Sequence, residues 1–330
     1  MKNIDILLDS IGDAGEKFVP ELSGKKKKIS VSRSVSFGGV CAAAIVCAVN
    51  LPIIKHSGTH INKSASIAAN QEDNAVNNPD NGLHIPAIKL PEPSESANMD
   101  MIGLVVYQGR IYTQSEFYDG DEARKILPLL GEHLGTAKGN LDEWSSQDDY
   151  ASEFASSVAG EVYSVNGYDT DFRICTYAET EDENHNKNDW VLFLDCLNDI
   201  TLKNGSELFE DRLHVSERTD TIQFQTHSDW DKGLNNIQTA DIEPDIWNEF
   251  VDQVDNGEFI YTWEPGLKGN NTIYDTPNQA HIVLSMNDGT VVRLRLIDGG
   301  YVGYDAMAWY FVKIPEDIFN TVYDICGGTH

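Results

Sequence analysis

His281-Ile-Val-Leu-Ser-Met286, then Asn287-Asp288-Gly289, then Thr290-Val-Val-Arg-Leu-Arg-Leu-Ile297 is the stretch that decides the fold class. Ile282, Leu284 and Met286 alternate with His281, Val283 and Ser285. After the turn, Val292, Leu294 and Leu296 alternate with Val291, Arg293 and Arg295. A period of two sends each set to its own face of a strand. Asn-Asp-Gly supplies the reversal between the strands. The stretch therefore reads as an antiparallel hairpin, with one face buried and the other largely polar, as in a sheet packed on one side.

Strand signals spread outward from this hairpin. Ile102–Tyr107 and Arg110–Phe117 flank Gln108-Gly109, which reads as a two-residue turn. Glu161–Gly167, Phe172–Ala178 and Trp190–Leu197 read as further strands, with an acidic loop over Glu179–Asp189. Gly299-Gly-Tyr-Val-Gly-Tyr304 reads as a bulged strand or tight turn. Helical patterns cover Asp121–Leu130, Ser206–Leu213, Pro244–Val254 and Pro315–Ile325. The last two open on Pro followed by acidic residues, which suits the positive end of a helix. The expectation is an α+β fold of mainly antiparallel sheet with a few helices. Trp190-Val-Leu-Phe-Leu ahead of Glu207-Leu-Phe-Glu parallels Trp309-Tyr-Phe-Val-Lys-Ile ahead of Glu316-Asp-Ile-Phe, which suggests two related halves, 100–213 and 214–330.

The first third of the chain reads differently. Lys25–Lys28 and Arg33 precede an uncharged stretch, Ser34–Ile54, and a helix from Val35 to Ile54 would be about 30 Å long, the thickness of a bilayer core. We read 25–33 as a basic stop and 34–54 as a single transmembrane helix, with the N-terminus cytoplasmic and the remainder extracellular. Residues 1–24 read as a cytoplasmic amphipathic helix: Ile4, Leu7, Leu8, Ile11 and Phe18 recur at helical spacing, with Asp5, Asp9, Asp13 and Glu16 on other faces. That acidic polar face suits a protein partner better than the anionic inner leaflet, so those five apolar residues are the candidate partner contacts. Residues 55–99, rich in Asn, Ser, Ala, Pro and charge, read as a disordered stalk ahead of an extracellular domain over 100–330.

Charge narrows the choice of partners. The chain carries 24 Lys+Arg and 53 Asp+Glu; seven basic and five acidic residues fall in 1–36, so the remainder has 17 and 48 and a net charge of -31. Such a surface repels nucleic acid and attracts cations and basic partners. Arg110, Arg173, Arg293 and Arg295 are scarce cations on predicted strands. If they converged they would make a local anion site or a salt-bridge network. Cys175 and Cys196 leave a cross-strand disulfide open, but five cysteines in so long a chain do not make a disulfide scaffold.

Motifs that demand chemistry are missing: His-Glu-x-x-His, Gly-x-Ser-x-Gly, a phosphate loop and Cys-x-x-Cys do not occur in the outer part. Asp229-Trp-Asp231-Lys-Gly233 has the opening carboxylates of a calcium loop without its later acidic ligand. No cofactor or metal is expected, and the domain reads as a non-enzyme. Six tryptophans, Trp144, Trp190, Trp230, Trp247, Trp263 and Trp309, are the residues that could stack against a glycan.

Ile6-Leu-Leu-Asp-Ser-Ile-Gly-Asp-Ala-Gly-Glu-Lys-Phe-Val19, the lysine run and the Ala-rich apolar segment together resemble a class of single-pass membrane proteins of anaerobic Gram-positive bacteria. Some of that class look like anti-sigma factors. Tyr301-Val-Gly-Tyr304 with its following strand and helix also looks like the end of their outer domains. The resemblance implies envelope sensing or signalling, with a sigma factor as cytoplasmic partner and an extracellular ligand or cell-wall component outside. Zinc-type anti-sigma domains carry His and Cys ligands, and residues 1–36 have none. The alternative reading is a surface-displayed glycan- or peptide-binding module; a glycan hydrolase with paired carboxylates is the third.

Overall fold

The computed structural model describes residues 77–78, 82–88, 102–142, 145–146, 148–181, 187–262 and 276–330. The amphipathic helix of 1–24, the basic stop of 25–33 and the span of 34–54 lie outside the described residues, as does most of the stalk read over 55–99. Among the described residues, no helix is long and apolar enough to cross a membrane.

In the first half of the domain the strands are β1 (Asn77–Asn78), β2 (Gly82–Ile85), β3 (Leu104–Tyr107), β4 (Arg110–Asp119), β5 (Leu130–Lys138), β6 (Ala159–Val165), β7 (Arg173–Glu181), β8 (Lys187–Asp195) and β9 (Ile200–Leu202). The second half adds β10 (Thr219–Thr226), β11 (Gln238–Thr239), β12 (Phe259–Tyr261), β13 (Gln279–Met286), β14 (Val291–Ile297), β15 (Tyr301–Tyr304) and β16 (Tyr310–Lys313). The helices are α1 (Gly120–Ile126), α2 (Ser206–Phe209), α3 (Val215–Arg218), α4 (His227–Asp231), α5 (Pro244–Asn256) and α6 (Glu316–Ile325). Every pairing between these strands is antiparallel, so the expected α+β class on antiparallel sheet holds.

The strands make a six-stranded sheet, β3-β4-β8-β7-β6-β5, a seven-stranded sheet, β11-β10-β13-β14-β15-β16-β12, and a small sheet, β1-β2-β9. Each large sheet is built wholly from one half of the domain. They share a five-strand plan: a four-strand meander whose last strand is flanked by the strand that precedes the meander, β4 beside β8 and β12 beside β16. Trp190 and Trp309 stand at the same place in this plan. Trp190 pairs with Asp119 and Trp309 accepts from the Thr262 backbone, so Tyr118 and Tyr261 occupy equivalent positions one residue earlier. The inside-outside phase also matches: Val191 and Phe193, like Tyr310 and Val312, face the main core, whereas Trp190 and Trp309 face smaller outer clusters.

One continuous core joins the sheets to the helices. It takes Tyr118, Cys175, Val191 and Phe193 from the first sheet and Ile282, Leu284, Val292, Leu294 and Val302 from the second, with Trp247, Phe250 and Val254 of α5 and Phe319, Val322 and Tyr323 of α6. Both long helices begin as their sequences dictate. Pro244 stands in the first turn of α5 with Asp245, and α6 opens on Glu316 and Asp317 after Pro315, so fixed φ and negative charge meet the free N–H groups.

Both hairpins fold as read. At Gln108-Gly109 both residues have positive φ, 51° and 71°, the backbone of a type I′ turn. Gly289, at φ 91°, closes the β13–β14 turn and donates to Met286.

Four expectations need correction. The polar face of β13–β14 is not open to solvent: His281, Val283 and Arg295 are each 5% exposed or less, because α4 and the chain after β15 fold across it. The helix read over Asp121–Leu130 stops at Ile126; Pro128 tightens the next turn and Leu130 already begins β5. The acidic loop of Glu179–Asp189 is largely ladder, since Glu179 pairs with Asp189 and Glu181 with Lys187, the lysine relieving the charge. Lastly, the stretch read as stalk contains β2, which pairs with β9 and buries Leu83 and Ile85 in the main core. Alternation in Gly82-Leu-His-Ile85 outweighs the polar composition around it.

If β2 belongs to the fold, Leu83→Ala lowers stability by roughly 2–5 kcal/mol in a thermal or chemical melt of the chain, whereas the same change in a solvated tether would leave the melt unmoved.

Candidate functional site

The four arginines have different fates. Arg110 stands apart on β4, donating to the Asp171 carbonyl at 2.9 Å, with the Asp171 carboxylate 3.9 Å away. Arg173, Arg293 and Arg295 are each held by a carboxylate. Arg173, 1% exposed, donates from Nε and Nη2 to Asp195 at 2.7 and 2.8 Å, across the β7–β8 pair that places these residues opposite each other. Arg293 Nε donates to Glu116 at 2.9 Å, and Arg295 donates to Asp305 from Nε at 3.0 Å and Nη2 at 2.7 Å. Of the two outcomes left open by the sequence, an anion site or a salt-bridge network, Arg173, Arg293 and Arg295 take the network: each has a carboxylate partner, and a buried guanidinium without a counter-charge would be costly.

This network ties one sheet to the other. Tyr304 of β15 donates to Asp195 at 2.9 Å and accepts from Arg173 at 3.2 Å, and the Glu116–Arg293 pair joins β4 to β14. Tyr118 accepts from the Val291 N–H at 3.0 Å. Tyr168 donates to Asp288, which also receives Arg218 at 3.1 Å, while Arg218 Nη2 reaches the Gly167 carbonyl. Burial drives the Tyr118 and Tyr304 phenols well above the ordinary tyrosine value, so both stay protonated donors or acceptors. Burial also pushes the Glu116 carboxyl up, against the pull of Arg293 toward the charged form. Arg173 Nη1 has no hydrogen-bond partner; its guanidinium lies against the rings of Tyr168 and Phe172, 4.6 and 5.0 Å from their centroids.

A second group of buried polar side chains lies on the covered face of the seven-stranded sheet. Gln225, His281 and Arg295 sit side by side on β10, β13 and β14 in successive register pairs, and all three are buried. Over them lies α4, capped at its N-terminus by Thr226. Trp230 of α4 is nearly parallel to His281, 9° with centroids 4.5 Å apart, and the Arg295 guanidinium carbon is 4.8 Å from the Trp230 ring. His227 Nδ1 is 3.2 Å from His281 Nε2. A polar row across the middle of a sheet is not what a core selects, so this row is the candidate site. No family model, no curated protein and no solved structure matches this chain. The site therefore rests on its own geometry.

The sequence names two members of this cluster, Arg295 as a candidate ligand residue and Trp230 as a candidate stacking residue, without joining them to Gln225, His227 and His281. At Asp229–Gly233 the structure has a capped helical turn, with Asp229 accepting from Asn236. Among the described residues, no group of three or more His, Cys, Asp or Glu side chains could hold a metal ion. The candidate partner contacts Ile4, Leu7, Leu8, Ile11 and Phe18 lie outside the described residues. Cys175 and Cys196 are free and lie in clusters on opposite faces of their sheet, and burial pushes both thiols up, Cys175 to about 12, which makes them apolar fillers.

One further group carries an unusual charge. Asp255, near the end of α5, has its carboxyl raised to about 6, first by burial and then by Glu210, Asp252 and Asp211. Its folded form binds a proton more tightly than the unfolded chain, so it destabilises above about 6, and that loss is relieved as pH falls toward the ordinary carboxylate value.

Asp255→Asn accordingly stabilises the fold near pH 7.5 by on the order of 1 kcal/mol after screening, read as a higher melting temperature, and the gain shrinks to nothing near pH 4. For the buried pair, Asp195→Ala costs roughly 3–5 kcal/mol because it strands Arg173, while the double change Arg173→Met with Asp195→Leu costs markedly less, read by urea denaturation.

Proposed function

We propose that this chain is a single-pass membrane protein that senses or signals at the envelope, with the described α+β domain outside as the part that binds a ligand or protein. The observation that carries this reading is the order of segments: an acidic-faced amphipathic pattern, a lysine run, an uncharged stretch of membrane length, and then a folded domain. The cytoplasmic helix would engage a regulator through Ile4, Leu7, Leu8, Ile11 and Phe18, and a sigma factor is the partner that the family resemblance suggests. Because β1 and β2 already belong to the fold, the tether shortens to about residues 55–76, a reach of roughly 25 Å if flexible.

The shared five-strand plan supports a diverged duplication as the origin of the two halves, with Trp190 and Trp309 as its surviving landmarks. Internal pairing of the arginines leaves binding, rather than anion chemistry, as the role to assign outside. A glycan platform built on tryptophan is less well supported, because Trp190, Trp247 and Trp309 are buried and Trp230 is stacked within the domain.

Protease treatment of intact cells should remove residues 102–330 while an N-terminal tag on the full chain stays protected. A tag shaved from outside, or a domain protected until lysis, overturns the topology. Separately, in-cell crosslinking of the full chain should capture a cytoplasmic protein that Leu8→Glu with Ile11→Glu no longer captures. Equal capture by both forms removes the signalling half and leaves the topology standing.

A further inference from the structure

The segment after α6 folds back along the helix and brings His330 between two carboxylates. Nδ1 is 3.1 Å from Asp298 Oδ1, in the β14–β15 turn, and Nε2 is 2.8 Å from Asp324 Oδ1, on α6. An ionised carboxylate only accepts, so both contacts are hydrogen bonds only when both ring nitrogens carry a proton. The geometry therefore calls for imidazolium. A neutral ring has one N–H; it keeps one bond and turns a lone pair against the other carboxylate. The site is half exposed, so its proton exchanges with solvent.

Around this ring the other groups keep one state across neutral pH. Gly327, at φ 71°, donates to the Asp324 carbonyl at 3.1 Å and Gly328 to the Tyr323 carbonyl at 2.9 Å, a glycine cap on α6 that needs no charge. A Cβ at Gly328 would strike the Tyr323 ring, so the chain passes directly over that ring. The Tyr323 hydroxyl donates to the Thr329 carbonyl at 2.9 Å, and burial pushes this phenol up to about 12, so it stays a donor. The His330 ring meets the Tyr323 ring edge-on, with centroids 5.4 Å apart. From α6, then, Asp324 and the Tyr323 phenol face the imidazole, and from the β14–β15 turn Asp298 does. The approach to β13 presents the neutral Asn278, which accepts from the Thr329 hydroxyl, and Lys313 of β16 is turned to the Gly299 carbonyl. Hydrogen bonds to Asp324 and then Asp298 raise the His330 proton affinity above its ordinary value. The tie is thus fully present below the ordinary histidine value of about 6.5 and is lost as pH rises through the higher folded value.

We propose that Thr329-His330 is a proton-operated catch: the His330 imidazolium pins this segment across Asp324 and Asp298, and loss of its proton frees the segment and uncovers Tyr323. This goes beyond the envelope reading and does not depend on where the domain resides. Closed, the catch joins the end of α6 to the β14–β15 turn and covers the Tyr323 phenol. Open, it leaves two carboxylates without their shared cation, with the phenol turned to water and the Gly327 cap still in place.

Proton NMR of the full chain tests it through carbon-bound protons, which do not exchange with water. The His330 ring should titrate at a higher pH in the wild type than in the double variant Asp298→Asn with Asp324→Asn, which lacks both anionic acceptors. Cross-relaxation between the His330 and Tyr323 rings should be present at about pH 5.5 and weaken several-fold by about pH 9. His330→Arg keeps its charge throughout, so contact of its side-chain methylenes with the Tyr323 ring should persist at both pH values. Core methyl signals of Val322 and Leu294 should not move, because α6 and β14 stay where they are. The proposal is overturned if the wild-type contact persists at about pH 9, or if His330 titrates alike with and without the two carboxylates. It is equally overturned if the His330→Arg contact is lost as the wild-type one is, or if the core methyl signals move together with the contact.

Discussion

Burying Arg173 against Asp195 constrains this domain more than any other contact. Two full charges removed from water are tolerable only if nearly every donor and acceptor is met, and the geometry that meets them spans both sheets. Asp195 takes the Arg173 fork from β7 and the Tyr304 hydroxyl from β15, so neither sheet can slide on the other without unpairing a buried ion. Hydrophobic contact between the sheets would accept many registers; these bonds accept one. Glu116–Arg293 and Tyr118–Val291 repeat the constraint further along the seam. The network thus contributes specificity of docking more than net stability.

How much of this could be read from the residues depended on whether the signal was local. Gln108-Gly109 and Asn287-Asp-Gly289 announce their turns because so few residues accept positive φ, and Pro244 and Pro315 announce helix starts for a similarly local reason. β5 was hidden: Gly131, Gly135 and Lys138 are poor strand formers, and their edge position, with two register shifts against β6, is a property of the sheet. The second face of β13–β14 was read as solvated because His281, Arg293 and Arg295 are polar. Polarity alone cannot tell a hydrated side chain from one met by Glu116, Asp305 or Trp230, which lie on other elements. The candidate row escaped notice for the same reason, since it assembles from three strands and a single helical turn.

The two large sheets share a plan and use it unequally. In the first, Trp190 closes an outer cluster with Leu192 and Leu194, and that face is apolar. In the second, Trp309 does the same with Ile297 and Phe311 at one side, while Gln225, His281 and Arg295 occupy the middle. The long helices α5 and α6 both pack into the core from the second half. The covered polar row lies in the second half, and the buried Arg173–Asp195 pair lies in the first.

The small sheet has a mechanical meaning. β2 lies between β1 and β9, and the register pairs Leu83–Leu202, His84–Thr201 and Ile85–Ile200 join it to a strand that belongs to the first half of the domain. Any pull arriving from the N-terminal side of the chain loads these pairs before it loads either large sheet. Leu83 and Ile85 of β2 also lie in the main core, so parting β2 from β9 would draw two core side chains out with it. The clasp of β2 on β9 is thus fastened from within, and ladder and core there can open only together.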